Sequence, residues 1–253
     1  MKLGAQFYSI RTECQTPEAL YNSMKKIKDI GYEIIQISGV CDIEAELLKS
    51  YSDEFSLPIT CTHKSYESIV NDTENLIKYH KIIDCPVIGL GSMPKEFRAS
   101  AAEARRFVES MKTPIKKIRD AGLRFAYHNH AFEFDTVDGE RLFDIIFNEL
   151  PEADFIQDVY WTKFAEVDTV EIFKKIADAG RMTNIHFKDM KTEPKGEICP
   201  CGEGVTDFLP LAKLCKQYGI ENILVEQDNA PTLGDVFEQM KSSFEHLNPI
   251  IHM

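Results

Sequence analysis

Residues 116–128 read KKIRDAGLRFAYH: the end of an amphipathic helix, a glycine, then a mostly apolar run that closes on a histidine. The phrase returns three times, as KKIKDIGYEIIQI at 25–37, KKIADAGRMTNIH at 174–186 and KLCKQYGIENILV at 213–225. In these copies Gly122, Gly31, Gly180 and Gly219 stand where a helix ends, a position that takes the left-handed conformation glycine adopts without a Cβ penalty. The phrase therefore means helix, stop, strand. Helix starts are legible too. Thr16-Pro17 offers an N-cap followed by proline at the first helical position, and Ser100 with Glu103 and Asp168 with Glu171 have capping-box spacing. Leu20, Met24 and Ile27 then set an apolar stripe at helical period.

Outward from these copies, apolar runs fall near residues 3–8, 34–38, 58–62, 86–90, 123–129, 154–159, 183–188 and 223–227, with an apolar-periodic or capped helix in most intervals. The runs are nearly continuous rather than strictly alternating, as parallel strands covered by helices require. Eight strand–helix units at about 30 residues each fit a closed (β/α)8 TIM barrel better than a doubly wound open sheet. No composition shift or Pro/Gly/Ser-rich linker divides the chain, so residues 1–253 are expected to form a single α/β domain. The longest apparent loop, KTEPKGEICPCGEG at 191–204, follows the seventh strand.

Composition narrows the function classes. Hydrophobic residues at 43% and charged residues at 28% suit a folded chain and exclude disordered or collagen-like ones. No stretch approaches the roughly 18 apolar residues of a membrane span. The start MKLGAQFYSI lacks the apolar core and cleavage site of a secretory signal, so a cytoplasmic address is the expectation, with no membrane partner. The 29 Lys and Arg against 41 Asp and Glu leave a net charge of −12, which repels a polyanion, and nucleic acid is not an expected partner. Seven cysteines, an odd number spread over a long chain, read as reduced thiols. Cys199-Pro200-Cys201 lacks both the spacing and the second pair of a zinc ribbon.

A TIM barrel does its chemistry at the C-terminal ends of its strands, so functional side chains should gather there. Gln6, Ser9 and Arg11 follow the first run, Gln36 and Ser38 end the second, and His63 follows the third. The fifth closes on His128-Asn129-His130 with Glu133 beyond, the sixth on Asp158, the seventh on His186-Phe187-Lys188-Asp189 and the eighth on Glu226-Gln227-Asp228. His80, His246 and His252 fall on expected helix or tail surface and receive no role.

At these strand ends the stretches FAYHNHAFEF, IQDVYW, NIHFKDMK, GEGVTDF and ILVEQD, with GAQFYSIR at the start, resemble the sugar phosphate isomerase/epimerase family, the xylose isomerase-like TIM barrels. The resemblance runs in order along nearly the whole chain. It implies a divalent metal ion in the barrel mouth and proton-transfer chemistry on a sugar or related polyol. The same superfamily holds endonuclease-IV-like nucleases, ketose 3-epimerases, hydroxypyruvate isomerases and inosose dehydratases, so the fold alone does not choose a reaction. Carried over motif by motif, the resemblance makes Asp158, His186 and Glu226 metal ligands. On the fifth strand, the position where ketose epimerases carry a glutamate holds His128, and the nearest acid is Glu133. A fully extended chain would put Glu133 roughly 17 Å beyond His128, at about 3.4 Å per residue, so it reaches the same site only by folding back. Glu133 is the expected fourth ligand, with His128 as its rival or as a base.

Such a set offers mostly hard oxygen ligands with one imidazole, suited to Mn2+, Mg2+ or Co2+ and acceptable to Zn2+. A cation bound there polarises a sugar carbonyl, acidifies the neighbouring C–H and stabilises the enediolate oxygen that develops. Glu226, Glu133, His128 and Lys188 are the candidate catalytic groups, Lys188 having a salt bridge to Asp189 as its structural alternative. His63, His130, Trp161 and Gln6 are candidate substrate contacts, Trp161 by stacking on a sugar face or else by packing beneath its loop. Asn129 and Gln227 are expected to orient ligands from behind. Glu203 and Asp207 in GEGVTDF open the helix after strand seven, and Ala165-Glu166 puts a charge where the resemblance leads one to expect a glycine turn.

A small-molecule sugar is the expected partner, and the resemblance allows a homodimer. With a histidine-rich fifth strand, elimination from a keto sugar or cyclitol competes with epimerisation. Phosphodiester cleavage is disfavoured by the charge of −12 and by single histidines on strands three and seven. Apparent retention of Asp158, His186 and Glu226 weighs against a non-catalytic sugar-binding barrel.

Overall fold

The computed structural model describes residues 1–253, and the strand phrases close into a ring. Its strands are β1 Lys2–Gln6, β2 Ile34–Ile37, β3 Ile59–Lys64, β4 Val87–Leu90, β5 Arg124–His128, β6 Asp154–Asp158, β7 Met182–Phe187 and β8 Asn222–Val225. Each pairs in parallel with its sequence neighbours, and β8 pairs with β1 to complete a TIM barrel. The helices begin and end as their caps dictate. Thr16 accepts from the Ala19 amide at 3.1 Å, Ser100 from Glu103 at 3.1 Å, and Asp168 from Val170 and Glu171 at 2.8 and 3.2 Å. Gly31, Gly122, Gly180 and Gly219 all take positive φ, at 120°, 81°, 66° and 69°. Glu166 takes the same left-handed conformation at φ 58°, so the turn after Trp161 keeps a glycine-like shape with a side chain that favours it poorly. No helix is long and apolar enough to cross a membrane.

Alternation along each strand sorts side chains between two interiors. Phe125 and Tyr127 of β5 belong to a continuous layer of 59 buried apolar residues between strands and helices. Ala126, between them, packs instead with Cys61, Val87 and Ile156 in a separate cluster of four on the barrel axis. Near the strand starts, polar groups close on one another: Arg124 Nε donates to Asp154 at 2.7 Å, and Asn222 Nδ2 to Asn184 at 3.1 Å. Near the strand ends lie Gln6, Gln36, His128, Asp158, His186 and Glu226, all buried. Space for the imidazoles comes from β4. A Cβ on Gly89 would sit 2.5 Å from the Thr62 carbonyl oxygen and 3.0 Å from both Cys61 Sγ and His63 Cδ2.

His80 corrects the sequence expectation of a surface position. It is fully buried on the helix Thr73–Ile82, its Nδ1 2.7 Å from the Leu76 carbonyl oxygen and its Nε2 2.7 Å from Thr62 Oγ1. Its place four residues after Leu76 puts it on the buried stripe. Burial pushes its pKa down to about 4.

All seven cysteines are free thiols. The loop after β7 forms a short antiparallel ribbon, Asp189–Met190 against Ile198–Cys199.

Candidate metal centre

Four buried side chains from four strands converge inside the barrel mouth: His128 at the end of β5, Asp158 of β6, His186 of β7 and Glu226 just past β8. One ligand atom from each lies within 4.8 Å of all the others. His128 Nε2 is 3.4 Å from Asp158 Oδ2 and 3.8 Å from Glu226 Oε2. His186 Nδ1 is 3.1 Å from Glu226 Oε2 and 4.0 Å from Asp158 Oδ2.

The far atom of each group is already engaged, which turns the near atom inward. His128 Nδ1 donates to the Gly91 carbonyl at 3.2 Å and His186 Nε2 donates to Gln36 Oε1 at 2.9 Å. Each proton is thereby held on the outer nitrogen, leaving the inner one its lone pair. Asp158 Oδ1 accepts from the amides of Tyr160 and Trp161 at 2.9 and 3.2 Å, and Glu226 Oε1 from Gln6 Nε2 at 2.5 Å. Asn129 fixes the Asp158 backbone, its Oδ1 accepting from the Asp158 amide at 3.0 Å. What remains are two buried atoms with no hydrogen-bond partner, His128 Nε2 and Asp158 Oδ2. Unpartnered buried polar atoms that face one another are what a cation between them would satisfy.

Charge points the same way. The buried Lys188 ammonium lies 2.7 Å from Asp228 Oδ2 and 3.7 Å from both Asp158 Oδ2 and Glu226 Oε2. Three carboxylates around one ammonium leave two negative charges when ionised, the charge that one divalent cation neutralises. Burial works against ionising Glu226, but the Lys188 ammonium beside it holds its pKa well below the carboxylate range. Burial likewise opposes the Lys188 charge, and the carboxylates of Glu226, Asp158 and Asp228 outweigh it and raise its pKa. The donor set therefore fits a divalent metal ion.

Glu133 is not in this group. The chain does fold back after β5, in a turn at Phe132–Phe134, but the carboxylate is taken up behind the cluster. Its Oε1 accepts from Tyr127 Oη at 2.7 Å and its Oε2 from the His130 amide at 2.7 Å. Fully buried, it has its pKa raised to about 7 by burial, with Tyr127 and the backbone amides opposing. The position that sequence reasoning gave to Glu133 is occupied by its rival, His128.

Two further expectations change. Lys188 pairs with Asp228, not Asp189, because successive strand residues face opposite ways. Asp189 instead accepts from the amides of Met190, Gly202, Gly204 and Thr206 at 2.9, 3.0, 3.1 and 2.9 Å. This explains Gly204 of GEGVTDF, since a Cβ there would lie 2.5 Å from Asp189 Oδ1, while Gly202 takes φ 95° against the His246 ring. Gln227 turns away from the cluster, its Nε2 donating to Gln239 at 2.7 Å.

Above the cluster opens a cavity of 570 Å³, lined among others by Gln6, His63, His130, Trp161 and Lys188. His63 Nε2, His130 Nδ1 and the Trp161 indole nitrogen are buried there without protein partners. Burial lowers the His130 pKa to about 2 and holds that of His63 well below its ordinary value, so both imidazoles are neutral. Unspent donors and acceptors on neutral rings suit a ligand rich in hydroxyls. The Trp161 ring has Lys188 Nζ 4.8 Å from its centroid and the His130 ring at 5.1 Å. Gln6 lines the cavity with its amide committed to Glu226, which makes it a support of that carboxylate.

Sequence reasoning gave no role to Gln36, Asp228 or Arg98. The first two were legible from alternation, Asp228 lying two residues beyond Glu226 on the same side. Arg98 was not. It comes from a short turn after β4, donates to the Met93 carbonyl at 2.9 Å and stacks 3.7 Å above the Phe132 ring centroid at the mouth.

A profile described as xylose isomerase-like TIM barrel matches residues 24–249. No curated protein matches the chain by sequence. Among solved structures, a sugar phosphate isomerase/epimerase from Parabacteroides distasonis ATCC 8503 is 20% identical, with a TM-score of 0.83 over 99% of this chain and 95% of that one. The probable 3-DHS dehydratase AsbF of Bacillus anthracis is 13% identical, with a TM-score of 0.76 over 98% of this chain and 99% of the other. An L-ribulose 3-epimerase is 11% identical, with a TM-score of 0.76 over 99% and 94%. At such identities these structures share the fold.

Proposed function

The chain belongs to the xylose isomerase-like TIM barrel family, and we propose that it is a divalent-metal-dependent isomerase or epimerase that moves a proton next to the carbonyl of a monosaccharide, keto sugar or sugar phosphate. The observation that carries this reading is the pair of unpartnered atoms, His128 Nε2 and Asp158 Oδ2, buried beside His186 Nδ1 and Glu226 Oε2 under a hydroxyl-binding cavity.

His128, Asp158, His186 and Glu226 would hold the ion. When bound it supplies Lewis-acid polarisation of a carbonyl and a positive charge for the enediolate oxygen. Two imidazoles and two carboxylates form a softer set than the one expected with Glu133, which favours Mn2+, Co2+ or Zn2+ over Mg2+. Gln36, Gly91, Gln6 and the amides of Tyr160 and Trp161 keep the four groups from turning. Neutral His63 and His130 accept from or donate to substrate hydroxyls at their free nitrogens. Lys188 donates hydrogen bonds and can deliver a proton to a departing or protonating oxygen, while Trp161 excludes water from one wall.

A second reading, dehydration of a keto sugar or cyclitol, draws support from one arrangement. Glu226 and Asp228, which line the cavity, stand with the buried Asp158 around Lys188, while imidazoles line the β3 and β5 side. An epimerase needs a competent base on each face of the substrate; an elimination needs one base and one acid.

Incubation of the Mn2+- or Co2+-loaded protein in D2O with ketoses, keto-glycosides and inososes, followed by NMR, tests both readings. Deuterium entry at carbon is expected, with a changed stereocentre or moved carbonyl for isomerisation and a lost hydroxyl for dehydration. No exchange with any of these substrates, in protein shown by elemental analysis to carry one ion, would defeat the proposal.

A further inference from the structure

Ser38, His63 and Lys64 line two cavities. Beyond them from the metal cluster, a second one of 380 Å³ opens beside the first. One side of it is apolar, formed by Ile37, Val40, Ile43, Leu47 and Tyr79 with Leu47 exposed at the rim, while Ser38, Asp42, Glu44, His63 and Lys64 make the rest polar. Tyr79 Oη donates to the Ile43 carbonyl at 3.2 Å, which ties the helix Thr73–Ile82 to the irregular segment 39–44 as one wall. At the waist between the cavities stands Lys64, its ammonium 4.8 Å above the Tyr79 ring centroid and without a salt-bridge or hydrogen-bond partner in the protein.

Size decides what such a pair of cavities is for. The twelve non-hydrogen atoms of a hexose, at no more than one water's share of about 30 Å³ each, occupy at most about 360 Å³. The inner cavity, at 570 Å³, already holds that with room to spare. A free monosaccharide would therefore leave the outer apolar wall in water and the Lys64 ammonium without an acceptor. Each feature has a use if the ligand continues past the waist.

We propose that the substrate is a glycoside whose sugar ring sits in the inner cavity and whose second, apolar or aromatic ring lies in the outer one against Val40, Leu47 and Tyr79. Lys64 donates to the oxygen that joins them. This deepens the reading above and rests on it. An acetal masks the anomeric carbon, so the carbonyl on which the metal centre acts would be a ketone elsewhere on the ring.

Calorimetric titration of the metal-loaded protein with matched methyl and phenyl glycosides of glucose, galactose, mannose and xylose tests the idea, with glucose 6-phosphate alongside. For at least one sugar the phenyl glycoside should bind about tenfold or more tightly than its methyl partner, as expected for burying an aromatic ring. Leu47→Arg and Val40→Trp should each erase that advantage and leave methyl glycoside affinity unchanged. Equal affinities within every pair, or an advantage untouched by both variants, overturns the glycoside proposal alone. So does tighter binding of the phosphate ester that is lost in Lys64→Met, which would make the outer ligand an anion. Failure of every glycoside to bind overturns the glycoside proposal, while deuterium entry into a free ketose or inosose would leave the sugar reading standing.

Discussion

The barrel's two interiors follow opposite rules. Between strands and helices, 59 buried apolar residues form one continuous layer. On the barrel axis, only Cys61, Val87, Ala126 and Ile156 form an apolar cluster, and the strand ends above them carry unpaired nitrogens, carboxylates and an ammonium. Stability and chemistry are thus divided between the two faces of the same strands. Residues one apart in sequence, such as Tyr127 and His128, serve different ends, and changes on one face should leave the other's property nearly untouched.

The largest expected effect lies on the inner face. Asp158→Asn should lower turnover at least about 1,000-fold, about 4 kcal/mol on the barrier, with loss of the bound ion. Thermal melting of the metal-free variant should match or exceed that of the parent, because a buried charge is gone from a cluster with excess negative charge. A variant that keeps its ion and its rate would break the assignment. Phe155, fully buried among Phe143, Phe147 and Tyr127, sharpens the contrast from outside. Phe155→Ala should cost about 3–5 kcal/mol in urea unfolding, with metal stoichiometry intact at low temperature. Loss of metal from the still-folded variant would mean that the faces are coupled.

His80 makes the outer layer's stability depend on pH. Its folded pKa of about 4 is depressed from 6.5, so it contributes fully above pH 6.5, where both states are neutral. As pH falls the unfolded chain takes up the proton first, and about 3 kcal/mol is lost by the time pH passes below 4. The stability of His80→Gln should fall less over that range; parallel curves for variant and parent would refute the assignment. Smallest of all, Glu133→Gln should cost about 1 kcal/mol and keep the ion, since Glu133 braces the turn at Tyr127 and His130. Elemental analysis showing loss of the ion would return Glu133 to the ligand set.

Much of this was readable from local pattern. The helix–glycine–strand phrase needs only residues within about one helical turn of each other, and all eight strands emerged within a few residues of their expected places. Strand alternation likewise brings Asp158, His186 and Glu226 to one side of their strands at the same level. Glu133 was misjudged because its destination depends on Tyr127 Oη and the His130 amide, partners created by a turn with no strong sequence signature. His80 was misjudged because its two partners, the Leu76 carbonyl that accepts from Nδ1 and the Thr62 hydroxyl that donates to Nε2, make a polar ring acceptable in a buried position. Arg98 and Lys64 owe their importance to cavity shape, which only the assembled barrel defines.

Asp189 has a consequence beyond the site. One carboxylate holds the outgoing chain at Met190 and the returning chain at Gly202, Gly204 and Thr206. Residues 191–201 leave and rejoin the barrel at that one carboxylate, with further ties from Tyr160 to Gly196, Asn229 to Ile198 and Ser243 to Cys201. The loop's two ends are thus registered by the residue next to Lys188, so that a change in the loop's path is taken up on the outer side of β7 while Lys188 on the inner side stays where it is.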